Sequence, residues 1–139
     1  MVETYTAWYG KGRAQDWRTP QELFNKLNQQ YNFTLDGAAS NDNALLPKAS
    51  TQDCPVPWTG ERVFCNPPWS DIASFIPLAA QAEMAVLLVP ARPNAKWFHA
   101  ALASGARVEF FLGRPKFVNP RQKASGSSPV DCLLLVWGK

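Results

Sequence analysis

A chain of 139 residues with 46% hydrophobic content has the length and apolar fraction of one domain with a buried core. No run approaches the roughly 20 apolar residues that span a bilayer, and Met1-Val2-Glu3-Thr4 lacks the basic-then-apolar pattern of a leader, so a cytoplasmic protein without membrane attachment is expected. A net charge of +3 does not by itself point to a nucleic-acid partner, while three cysteines without Cys-x-x-Cys spacing and a single histidine, His99, argue against a disulfide framework or a metal cluster.

In chain order the elements read as a βα pattern. Thr19, Pro20 and Glu22 resemble a capping box with proline at the first helical position, and Leu23, Phe24, Leu27 and Tyr31 then recur at helical spacing, so a helix is predicted from Pro20 to about Gln30. Phe33–Leu35 reads as a short strand ending at Asp36, Val63–Cys65 as a second ending at Asn66, and Met84–Val89 as a third ending at Pro90. Between the last two, Ile72, Phe75, Ile76 and Ala79 share helical spacing over Asp71–Ala82, with Pro77 expected to bend or split that helix. Asn94–Leu102 reads as a further helix. Strands over Arg107–Leu112 and Cys132–Trp137 close the chain as an antiparallel hairpin, joined by a basic loop around Pro115–Pro129. The expected architecture is a three-layer α/β domain of Rossmann type with a mixed sheet.

The most chemically specific string is Asn66-Pro67-Pro68-Trp69 after the apolar run Val63-Phe64-Cys65. Two prolines end a strand abruptly and stiffen the turn beyond it, because each lacks an N–H and fixes its own φ. Ligands of open α/β sheets bind at the carboxyl ends of the strands, and this edge presents an amide, a rigid carbonyl and a large flat ring. Such parts suit a planar, hydrogen-bonding substrate and transfer of a group to the exocyclic amine of a base. The Asn66 oxygen and a backbone carbonyl of the turn would accept the amine hydrogens, and Trp69 would stack on the ring. Ser70 and Ser74 have no evident base partner for nucleophilic catalysis, and Asp71 suits the first turn of the next helix.

Four strings occur in order: Asp16-Trp17-Arg18-Thr19-Pro20, Phe33-Thr34-Leu35-Asp36-Gly37-Ala38-Ala39-Ser40, Val63 to Trp69, and Gly113-Arg114-Pro115-Lys116-Phe117. The set resembles the phage-type DNA N-6-adenine methyltransferase (Dam) family over nearly the whole chain from Asp16 onward. The resemblance implies a Rossmann-like S-adenosylmethionine-dependent fold over 16–139, preceded by a basic N-terminal arm over 1–15, in a bacterial host cell. It implies methyl transfer to the exocyclic amine of adenine in DNA, with Asn66, Pro67, Pro68 and Trp69 as the catalytic string. It makes Trp17, Thr19, Pro20, Asp36, Gly37, Ala38 and Asn66 the expected S-adenosylmethionine site. Asp36 would meet the cofactor's ammonium, and the start of the first helix its carboxylate.

The departure from the family's larger fold lies between the first two strands. The segment Ser40–Glu61, rich in Asn, Pro, Ser and Thr, leaves too little chain for further strands and a crossover helix, so the sheet is expected to be shortened there. Asp53 and Trp58 are the local residues of the types that hold a ribose and wall an adenine. Positive charge gathers in two regions, Lys11, Arg13 and Arg18 early and Arg114, Lys116, Arg121 and Lys123 late. Lys11, Arg13, Arg114, Lys116, Arg121 and Lys123, with Arg92 after the third strand, are the expected DNA contacts. A methyltransferase for cytosine's exocyclic amine and a catalytically idle nucleic-acid-binding module are the competing expectations.

Overall fold

The computed structural model describes residues 19–39, 44–111, 116–117, 126–127 and 131–138. The spacing of Phe24, Leu27 and Tyr31 places all three on one buried face of α1, Gln21–Tyr31, and Asn32 stops the helix in the left-handed conformation that asparagine tolerates. The capping box does not form. The first intrahelical bond runs from the Phe24 N–H to the Pro20 carbonyl at 3.1 Å, so Pro20 is the N-cap, with an extended ψ of 134°. The helix therefore begins one residue later than the sequence suggested, and the Thr19 hydroxyl is left for another partner.

The strands are β1 (Leu35–Asp36), β2 (Arg62–Cys65), β3 (Met84–Pro90), β4 (Arg107–Glu109), β5 (Lys116–Phe117), β6 (Gly126–Ser127) and β7 (Cys132–Trp137). The principal sheet has the order β1-β2-β3-β7-β4. β1, β2 and β3 are parallel, with Asp36 opposite Phe64 and Cys65 opposite Leu87, whereas β7 runs antiparallel to both β3 and β4. The predicted antiparallel closing pair is thus present, with β4 ending at Glu109 and Leu112 lying outside the described residues. Within the connecting loop, β5 and β6 pair antiparallel as a separate two-stranded ladder.

Every residue of β3 is buried because both faces of the sheet are covered, which is why its sequence is continuously apolar instead of alternating. On one face Phe24, Leu27, Tyr31 and Phe33 pack on Phe64, Val86, Leu88 and Leu134. On the other, Ile72, Phe75, Ile76 and Ala79, with Phe98 and Ala101 of α3 (Lys96–Ala103), pack on Val63, Cys65, Leu87 and Leu135. Each large aliphatic chain so buried contributes about 1.5–3 kcal/mol. The helix expected over Asp71–Ala82 is split as Pro77 demands: a 3-10 segment over Trp69–Phe75 is followed by α2, Ile76–Gln81. Pro77 lies in the first turn of α2, where a missing N–H leaves no bond unmade.

Between β1 and β2 the described residues 44–61 add no strand to the sheet. They form an isolated parallel bridge, Asp36 to Ala49, and an isolated antiparallel one, Thr59 to Ala82. The first is held by Asp36 N–H to the Lys48 carbonyl at 3.0 Å and Ser50 N–H to the Asp36 carbonyl at 2.8 Å, a single rung on the outer edge of β1. Among the described residues no helix is long and apolar enough to cross a membrane.

Candidate active site

Because β1, β2 and β3 are parallel, Asp36, Asn66 and Arg92 come from carboxyl ends on one edge of the sheet. The β2 chain leaves Cys65 into Asn66 and then into Pro67 and Pro68, both buried, with Pro68 extended at φ −62°, ψ 129° before the 3-10 segment begins at Trp69. The Pro68 carbonyl accepts the Asp71 N–H at 3.0 Å, whereas no described residue donates to the Pro67 carbonyl. Asp71 also accepts a hydrogen bond from the Ser74 hydroxyl at 2.7 Å, so its carboxylate serves this turn. Trp69 is half-buried at the junction of the two halves of the core.

Asn66 is half-buried, and its side-chain nitrogen donates to the Thr19 hydroxyl oxygen at 3.1 Å, across 47 positions of sequence. The local fold explains how Thr19 reaches it. α1 is tied down at its far end, where the Tyr31 hydroxyl donates to Glu109 at 2.6 Å and Arg62 Nε donates to the Tyr31 carbonyl at 2.8 Å. The chain entering α1 at Pro20 is then held above the end of β2. Sequence reasoning singled out both residues and missed their contact.

Asp36 is 3% exposed. Its carboxylate accepts the Ala38 N–H at 3.3 Å and the Leu45 N–H at 3.0 Å. Burial pushes its pKa up to about 6, and these two hydrogen bonds only partly oppose that shift. No described cationic side chain pairs with it. The buried Cys65 thiol is likewise pushed up, first by burial and then by the charge on Asp36. Gly37 donates its N–H to the Phe64 carbonyl at 2.8 Å and is packed so tightly that a side chain there would collide with the Trp58 ring.

Trp58 itself is 2% exposed, with its ring centroid 6.1 Å from that of Phe75. It packs in the core, and Asp53 is exposed on the segment before it. Ala38 is buried beside Gly37. Arg92 is exposed in the turn after β3, with its N–H on the Pro90 carbonyl at 2.9 Å and its carbonyl accepting from Ala95 at 3.0 Å. His99 is exposed on α3. Lys11, Arg13, Trp17, Arg18, Arg114, Arg121 and Lys123 lie outside the described residues, and Lys116 is placed only by its backbone in β5.

The edge therefore combines a rigid Asn-Pro-Pro turn with an oriented amide, a buried carboxylate without a cationic partner among the described residues, and a half-buried tryptophan. No curated protein matches the chain in sequence. The family model of DNA N-6-adenine-methyltransferase (Dam) matches residues 9–139, most of the chain, and the protein belongs to that family.

Proposed function

We propose that the protein transfers a methyl group from S-adenosylmethionine to the exocyclic amine of adenine in DNA. The observation that carries this reading is the Asn66 amide, fixed through its nitrogen by Thr19 on a turn whose Pro67 carbonyl has no described donor. An exocyclic amine offers two hydrogens, and an amide oxygen next to a rigid carbonyl offers two acceptors. Accepting both hydrogens turns the nitrogen's electron pair out of conjugation with the ring. Orientation of this kind lowers a barrier by about 7–11 kcal/mol in favourable cases. A base must leave its stack to be gripped this way, and the half-buried Trp69 is the proposed ring for it to stack on.

The described residues fit the amino-acid end of the cofactor. Asp36 is a buried carboxylate with no described countercharge, and an ammonium would supply one. Thr19 and Pro20 stand at the start of α1, whose N-terminal N–H groups favour a carboxylate. Gly37, Ala38 and Trp17 belong to the same proposed site by the family resemblance. The cofactor, when bound, supplies a methyl group made electrophilic by a positively charged sulfur. The protein's part is to hold and align. Arg92 and the basic residues Lys11, Arg13, Arg114, Lys116, Arg121 and Lys123 are the proposed phosphate contacts. The Rossmann-like methyltransferase fold is part of the same proposal, supported by the mixed sheet with its antiparallel β7 between β3 and β4.

Incubation of the protein with methyl-labelled S-adenosylmethionine and enzymatically amplified DNA of mixed sequence, followed by nucleoside mass spectrometry, tests the reading. N6-methyladenine is the expected product. N4-methylcytosine in its place would reassign the target base, and absence of both transfer and cofactor binding would leave an idle nucleic-acid-binding module.

A further inference from the structure

We propose that Thr19 is a positioning residue for Asn66, its hydroxyl holding the Asn66 carboxamide in the plane in which the amide oxygen meets the target amine. This rests on the reading of Asn66 as the amine's acceptor. An asparagine amide turns freely about its last torsion, which is broad and only weakly preferred, so a turn that fixes the backbone does not by itself fix the amide. Pro67 and Pro68 stiffen the main chain beyond Asn66 and do not act on that torsion. The hydrogen bond from Asn66 Nδ2 to Thr19 Oγ1 at 3.1 Å restrains it from the nitrogen edge of the amide, opposite the edge that carries the oxygen.

The position of Thr19 suits this task better than a capping one. Pro20 takes the N-cap, and α1 begins without a side-chain cap. Among the described residues the Thr19 hydroxyl makes no other hydrogen bond. The residue before a proline is confined to extended conformations, so Thr19 is presented on a backbone that varies little. The anchoring of α1 by Tyr31 and Arg62 then transmits the rigidity of the sheet to this one hydroxyl. An orienting group brought in from a different element constrains the amide better than a neighbour in the same turn, because it does not move with it.

The test compares wild type, Thr19→Val, Thr19→Ser and Asn66→Ala in methyl transfer to amplified DNA of mixed sequence, with saturating S-adenosylmethionine. Thr19→Val keeps the shape and removes the hydroxyl; a roughly three- to tenfold fall in kcat is expected, the scale of one lost neutral hydrogen bond. Thr19→Ser should recover most of it. If Thr19 serves only the cofactor's carboxylate, saturation will restore kcat in Thr19→Val and the change will sit in KM alone, which overturns the proposal. If Thr19→Val has wild-type kcat while Asn66→Ala is inactive, positioning is refuted and the role of Asn66 stands. Full activity in Asn66→Ala instead removes the acceptor reading itself. A measurement without turnover covers variants that lose activity by misfolding. The Asn66 side-chain amide signals of the free protein, assigned by nuclear magnetic resonance, should shift in Thr19→Val and not in Thr19→Ser, and unshifted signals in a folded Thr19→Val overturn the proposal.

Discussion

A Cβ built on Gly37 would lie 2.4 Å from Cζ2 of Trp58 and 2.8 Å from Cγ1 of Val63, so the glycine after Asp36 is there to let the Trp58 ring close against β1 and β2. Its φ is not in the left-handed region, which makes the constraint one of space. Gly37→Ala is therefore expected to lower stability by about 1–3 kcal/mol, as overpacking of a filled core does. Denaturant unfolding reads the loss, and pairing Gly37→Ala with Trp58→Phe should recover part of it. An additive double variant would show that the glycine answers to something other than that ring.

Asp36 sets a pH dependence opposite in sign to that of an ordinary paired carboxylate. Its folded pKa of about 6 lies above the unfolded value of 3.8, so between these pH values the folded state binds the extra proton. Stability contributed by this group rises as pH falls from about 7 to about 4, and declines as the carboxyl ionises through pH 6. The whole effect is on the order of 3 kcal/mol. Asp36→Asn should remove it, so the difference in unfolding free energy between wild type and variant should change with pH across this window and be flat above it. A difference flat throughout would mean that the carboxyl titrates normally.

Ionised Asp36 is also what a cofactor ammonium would require. Affinity for S-adenosylmethionine, measured calorimetrically, is expected to tighten with rising pH up to about 6 and then level off, apart from titration of the ligand itself. Asp36→Ala should weaken binding by about 1.5–3 kcal/mol, the range of a hydrogen bond to a charged group. Equal affinity in the variant would leave Asp36 with only its work of holding the Ala38 and Leu45 amides.

Much of this frame was legible in the sequence, for reasons that also mark its limits. α1 was readable because its apolar residues repeat at helical spacing, and β3 because a strand covered on both faces is apolar throughout. Pro77 announced the break before α2. The capping box failed because the same string admits Pro20 as N-cap, and only the geometry of the chain entering α1 decides between the two. Thr19 and Asn66 were each singled out, yet nothing in their spacing says that a hydroxyl and an amide 47 positions apart will meet. The partners of Asp36 are backbone N–H groups, which every residue but proline carries and no sequence distinguishes. Trp58 is of the type that walls an adenine, and only packing shows it to be core.

Asn66→Ala separates chemistry from binding. Losing an acceptor that acts on the reacting amine should lower kcat by roughly 100- to 1,000-fold, the cost of removing one preorganised hydrogen-bonding group from a transition state. Cofactor affinity and melting temperature should change little, since the side chain is half-buried at the sheet edge and its bond to Thr19 lies outside the apolar core. Wild-type turnover in this variant would remove Asn66 from the reaction.

Salt dependence distinguishes the proposed phosphate contacts from stacking on Trp69. Phosphate contacts release counterions, so the slope of log affinity against log salt falls by about 0.9 for each one removed, whereas stacking on a ring is nearly indifferent to salt and contributes about 1–3 kcal/mol per base. Arg92 is exposed beside the Asn66 edge, and Arg92→Gln is expected to reduce the slope by about one contact without altering the melting temperature. Neutralising Arg121 and Lys123 together should reduce it by about two. Trp69 touches both halves of the core, so Trp69→Ala will cost stability as well as turnover. Trp69→Leu, which keeps much of the apolar volume and removes the flat face, is the cleaner variant, expected to lose turnover with the salt slope intact. A slope unchanged by Arg92→Gln and by the double neutralisation would move the DNA groove to the early basic residues Lys11 and Arg13.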